Sequence, residues 1–230
     1  MTLQWVPGAW WSALALSIAV LAAYTSLDMA RRVQTARHGA GPRWLVGAAI
    51  ALGTGIVSVH VILFHAVPMD FPLGYNPWAI GGVWMAAMLI SLVGLGLAGG
   101  RLITPQRLAA GVGVLGAGTV GCQMGAMSTL GLRPGVQWQP LGVALALVTA
   151  GAGIGLALWV FFHVRLKLQR HPYRWQAVAG VLLGVAGVLS EGLLIGAADL
   201  AEQTFSAFDL KLPAAILVGL GTLGSIALLG

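Results

Sequence analysis

The chain has 230 residues, of which 58% are hydrophobic and only 8% charged, with a mean hydropathy of +0.90. A soluble domain carries about 25% charged residues, so the composition excludes one and describes an all-α integral membrane protein. The formal charge of +6 does not point to nucleic acid, because no polar segment is long enough to form a basic domain outside the bilayer, and the single Cys122 excludes an intrachain disulfide.

A membrane helix needs about 20 apolar residues. The first such stretch, 9–29, has no basic residue before it and Arg31 and Arg32 directly after it. These flanks are the reverse of a cleaved signal peptide and predict an anchor inserted with its N-terminus outside. Asp28, near the far end, is placed to pair with Arg31 and Arg32 on the same helix. Further stretches follow at 44–64, 78–99, 107–129, 140–163, 175–198 and 212–229, which makes seven transmembrane helices. Unbroken apolar runs such as residues 10–27 are incompatible with the short alternating strands of a β-barrel.

Basic residues gather in cytoplasmic loops. Arg31, Arg32, Arg37 and Arg43 lie between the first and second stretches, Arg101 and Arg107 between the third and fourth, and Arg165, Lys167, Arg170 and Arg174 between the fifth and sixth. The opposite loops hold only Arg133 and Lys211, together with Asp70, Asp199, Glu202 and Asp209. The expected topology is therefore N-terminus outside and C-terminus cytoplasmic.

Internal repetition organises the rest. Helices 2 to 7 read as three helix pairs, roughly 44–100, 107–163 and 175–229, with the first helix outside the repeat and the whole of 1–230 as one domain. The loops correspond: Pro72-Leu-Gly-Tyr-Asn-Pro77 matches Pro134-Gly-Val-Gln-Trp-Gln-Pro140 and, more weakly, Phe208-Asp-Leu-Lys-Leu-Pro213. Each repeat opens with a glycine-rich helix that carries one buried-type polar residue near its outer end: His60, Gln123 and Glu191, 63 and then 68 residues apart. A polar group in hydrocarbon needs a partner, so these three are expected to converge as a polar cluster. His65 is expected at the interface. The 34 glycines, in runs such as Gly111, Gly113, Gly116 and Gly118 or Gly180, Gly184 and Gly187, predict close helix packing.

The run Tyr24-Thr-Ser-Leu-Asp-Met-Ala-Arg-Arg32, then Gly55-Ile-Val-Ser-Val-His-Val-Ile-Leu-Phe64 and the turn at Pro68-Met69, resembles the MHYT domain of bacterial membrane sensors over essentially the whole chain. The family repeat is Met-His-Tyr-Thr-Gly-Met or a close variant. Here the first copy, Val59-His60-Val61-Ile62-Leu63-Phe64, keeps the histidine; the second, Cys122-Gln123-Met124-Gly125-Ala126-Met127, keeps the final methionine; the third, Ser190-Glu191-Gly192-Leu193-Leu194-Ile195, carries glutamate. The resemblance implies seven helices in three repeats, the bacterial inner membrane, and a copper site near the outer face that senses oxygen, carbon monoxide or nitric oxide. It also implies cytoplasmic diguanylate cyclase, phosphodiesterase or kinase output, fused or supplied by a signalling partner.

Copper(I) favours thiolate, thioether and imidazole ligands, which here would be His60, Cys122, Met124 and Met127. Glu191 would add a harder donor tolerable to copper(II) or zinc. The alternative is a metal-free cluster of His60, Gln123 and Glu191 that fixes helix packing. No nucleophile motif, His-Glu-x-x-His helix or paired carboxylates is present, so no enzyme is expected. A small-solute or proton-coupled transporter ranks behind a sensor, because three repeats without an interior proline differ from the usual paired repeats and broken helices.

Overall fold

A computed structural model describes residues 8–36, 40–67, 74, 76–99, 104–164, 172–201 and 203–208. Six helices long and apolar enough to cross a membrane make up nearly all of it. They are α1 (Ala9–Thr35), α2 (Gly41–His65), α3 (Pro77–Ala98), α4 (Pro105–Ser128), α5 (Pro140–Trp159, continued by a π-helical turn Val160–Val164) and α6 (Pro172–Gly196). The seventh predicted stretch, 212–229, lies outside the described residues. Four two-residue strands complete the described elements: β1 (Leu132–Arg133), β2 (Gln137–Trp138), β3 (Ala198–Asp199) and β4 (Phe205–Ser206).

Local chemistry sets where the helices begin. Helices α2 to α6 each carry a proline in the first turn, Pro42, Pro77, Pro105, Pro140 and Pro172, where its missing N–H costs nothing. Asn76 caps α3 by accepting from Trp78 N and Ala79 N at 3.0 and 3.2 Å, and Thr104 caps α4 by accepting from Arg107 N at 3.3 Å. Interior packing decides the rest.

The helices form two nested triangles. Neighbours around the outside run α1, α2, α3, α4, α5, α6 and back to α1, while α2, α4 and α6 also touch one another across the centre. In its membrane-length window α2 is 67% buried and α6 61%, against 22% for α3 and 28% for α5. Thus α2 and α6 are core, whereas α3 and α5 present Trp84, Met85, Leu89, Val93, Leu145 and Val148 to the surroundings. Such an apolar exterior suits lipid.

Glycine permits the approach of these backbones. A methyl group at Gly53 would lie 2.7 Å from the Met88 backbone nitrogen, one at Gly111 2.7 Å from the Gly94 carbonyl, and one at Gly184 2.8 Å from the Val20 nitrogen. Contacts α2–α3, α3–α4 and α1–α6 therefore each depend on a missing side chain, the packing mode of small residues in bilayers.

The two ends of the bundle differ. At one end the loops are sewn together: β1 pairs antiparallel with β4 and β2 with β3. Asn76 N donates to Thr129 O at 3.0 Å, and Gln139 N donates to Ala197 O at 2.9 Å. Ser206 Oγ donates to Leu130 O at 2.8 Å and accepts from Gly74 N at 3.1 Å. Gly131, with φ +58°, makes the turn into β1 against the Phe208 ring, a conformation that favours glycine. His65 sits exposed at this capped end, edge-on to Trp11 with ring centroids 5.7 Å apart.

At the basic end Asp28 accepts from Arg31 Nη2 at 2.7 Å and Arg32 Nε at 2.9 Å, the pairing within one helix that the spacing predicts. It also accepts from Gln176 Nε2 on α6 at 3.3 Å. The Arg31 guanidinium lies 5.3 Å from the Tyr173 ring and that of Arg32 4.7 Å from the Trp44 ring, so α1 is clamped to both α2 and α6.

Candidate functional site: a polar layer on the central axis

Helix periodicity explains how the three central helices present one residue each to the axis every turn. Residues four apart share a face. Starting from His60 on α2, Gln123 on α4 and Glu191 on α6 and moving one turn toward the capped end gives Phe64, Met127 and Ile195, exposed by 0%, 1% and 0%. One turn the other way gives Ile56, Thr119 and Gly187; the next gives Leu52, Leu115 and Leu183. All six of these line a single cavity. Each set repeats the same intervals of 63 and 68 residues. So do the bonds of the cap, from Asn76 to Thr129 and from Gln139 to Ala197.

The polar layer is buried and closely bonded. His60 and Glu191 are 2% and 0% exposed, and His60 Nδ1 is 2.7 Å from Glu191 Oε1. Phe64 stacks on the imidazole, with centroids 5.7 Å apart and planes 16° from parallel. Each supplies the partner that the other needs in a low-dielectric interior. Gln123, 2% exposed, bonds not to this pair but to Ser190 Oγ, over a long 3.5 Å. Ser190 in turn donates to Gly187 O at 3.0 Å. Two oxygens, Gln123 Oε1 and Glu191 Oε2, are buried without a protein partner.

The remaining metal candidates lie elsewhere. Met127 belongs to the apolar layer with Phe64 and Ile195, and Met124 packs into the other hydrophobic cluster with Leu115. Cys122, a buried free thiol, and Met124 are each turned about 100° around α4 from Gln123, in opposite senses. Among the described residues no group of three or more His, Cys, Asp or Glu assembles. The donor set at the axis reduces to one imidazole and one carboxylate already bonded to each other, with one thioether a turn away. That set does not fit the soft ligands of copper(I) or the tetrahedral donors of zinc.

Sequence reasoning assigned no site role to Ser190 and Thr119 and marked Gly187 for close packing, whereas a methyl there meets nothing within 4 Å and all three border the same space. The signal was present: each lies one residue or one turn from a polar position, at the repeat interval.

Two curated proteins are similar to this chain. The bifunctional diguanylate cyclase/cyclic di-GMP phosphodiesterase MucR of Pseudomonas aeruginosa is 35% identical over 162 residues, 69% of this chain and 23% of that protein. The signaling protein YkoW of Bacillus subtilis is 27% identical over 184 residues, 79% of this chain and 23% of that protein. The chain thus spans about a quarter of the length of the curated relatives it matches. No family model matches the sequence, and no solved structure matches it.

Proposed function

We propose that this chain is a membrane sensory domain of the MHYT type, built from three helix-pair repeats, with its capped end outside and its basic end facing the cytoplasm. The observation that carries this reading is the buried bond between His60 and Glu191, which ties α2 to α6 at the position where the family repeat places histidines. Similarity to two signalling proteins over most of the chain supports it, as does the recurrence of every axial layer and of the cap bonds at the same two intervals. The concentration of arginine at one end supports the orientation.

In this reading the polar layer is a hydrogen-bonded switch and not a copper centre. A stimulus that lengthens the bond between His60 and Glu191 changes the packing of α2 against α6, and the basic end passes the change to a cytoplasmic output domain, in the same chain or in a partner. The chain itself performs no catalysis.

The test joins residues 1–230 to a diguanylate cyclase reporter and measures cyclic di-GMP in bacteria. Glu191→Ala and His60→Ala are expected to change the output per unit of protein present, and in the same direction. Output equal to wild type from both variants would remove the switch from the reading.

A further inference from the structure

The cavity beneath the polar layer has a cause in the sequence. At the level of Ile56 and Thr119 the third helix contributes Gly187, and a methyl group built there meets nothing within 4 Å. Two of three positions fill their share of the axis and the third does not. The space that results is two adjoining cavities of about 40 Å³ each, which share Leu52, Ile56, Thr119, Leu183 and Gly187 as walls. One is bordered by Ser190 and the other by Gln123.

Gln123, which borders one of the two cavities, carries a buried oxygen that lacks a donor, Oε1. A buried acceptor left bare costs about 1–3 kcal/mol, and in hydrocarbon no solvent relieves it. An amide oxygen accepts, so the missing partner of Gln123 Oε1 is a donor. Its size is bounded as well: a water needs about 10–15 Å³ of such volume and two to four polar partners. Across the two cavities Gln123, Ser190 and Thr119 offer that number, whereas the leucine floor of Leu52, Leu115 and Leu183 offers none.

We propose that the axial cavity is a hydration site, occupied by water that donates to Gln123 Oε1 and bonds the Thr119 and Ser190 hydroxyls, and that Gly187 leaves room for it. The site takes water or another neutral donor of up to about three heavy atoms, and excludes anything larger by volume. It stands independently of any signalling role.

Hydroxyl-radical footprinting by pulsed X-rays, in water of heavy oxygen isotope, reads the site directly. Leu115 and Leu183 line the cavity and are 1% and 7% exposed, and Phe161, 0% exposed and away from it, is the control. In the wild-type protein both leucines are expected to acquire heavy oxygen above the level of Phe161, and Gly187→Val is expected to bring them down to it. Gly187→Ala, the milder variant, is expected to lower the labelling of both leucines partway. Leucines no more labelled than Phe161 would show a dry void, and labelling that persists in Gly187→Val would show that Gly187 does not make the room; either result overturns the proposal.

Discussion

His60 Nδ1 and Glu191 Oε1 stand 2.7 Å apart, though 131 residues separate them along the chain. Neither has another described polar partner, so each is the other's reason for being tolerated at depth. Removing one leaves its mate buried and unpaired, a loss of about 3–5 kcal/mol in comparable pairs. Glu191→Ala should therefore lower the unfolding temperature in detergent strongly. The double variant His60→Ala with Glu191→Ala should be much less destabilised than the sum of the singles, since no orphan remains. Additive losses would show that the pair is not coupled.

Glycine substitutions should divide by location. Gly53→Ala puts a methyl 2.7 Å from the Met88 backbone, which must move, at a cost of about 1–3 kcal/mol. Gly121, on the exposed face of α4 with nothing within 4 Å, should accept alanine without loss and with a gain of up to about 1 kcal/mol from helix propensity. Thermal unfolding of the two variants side by side is the check; equal effects would refute the assigned helix contacts.

At the basic end Asp28 holds Arg31, Arg32 and Gln176 together. Asp28→Ala should release α1 from α6 and cost about 1–3 kcal/mol, tempered by the partial exposure of the arginines. A spin-label distance between the basic ends of α1 and α6 should broaden in this variant and stay narrow in Ser17→Ala, whose hydroxyl bonds only its own helix. Equal distributions would show that the clamp is ornamental.

The donor geometry predicts that protein purified without chelators under reducing or oxidising conditions carries no stoichiometric copper or zinc, and that His60→Ala leaves the metal content unchanged. Elemental analysis measures it. A full equivalent of copper in wild type, lost in His60→Ala, would show a metal centre at His60 and displace the hydrogen-bonded switch.

Apolar runs bounded by proline and arginine were enough to place the six described spans within a few residues, because membrane helices are defined by a length and a solvent. The residue pair that matters was legible as an interval: His60, Gln123 and Glu191 recur, and recurrence placed them at one depth. What a single sequence does not carry is side-chain direction at angstrom scale. Gln123 turned to Ser190, and Asp28 found Gln176 beyond its own helix. Nor did hydropathy foresee β1 to β4, two residues each, whose pairing follows from loop geometry and not from any strand pattern.

The sewn loops have a mechanical consequence. With Thr129 and Ala197 bonded to the starts of α3 and α5, the tops of α4 and α6 are tied, so in the proposed switch the lid would act as a hinge and the polar layer just beneath it as a short lever arm. From Gly196, beneath that hinge, back to Pro172 α6 runs about 36 Å at about 1.5 Å per residue. A tilt of roughly 5° about that hinge moves the far end by roughly 3 Å. A change of one hydrogen bond under the lid would thus arrive at the arginine end magnified into a displacement large enough to repack a turn of helix.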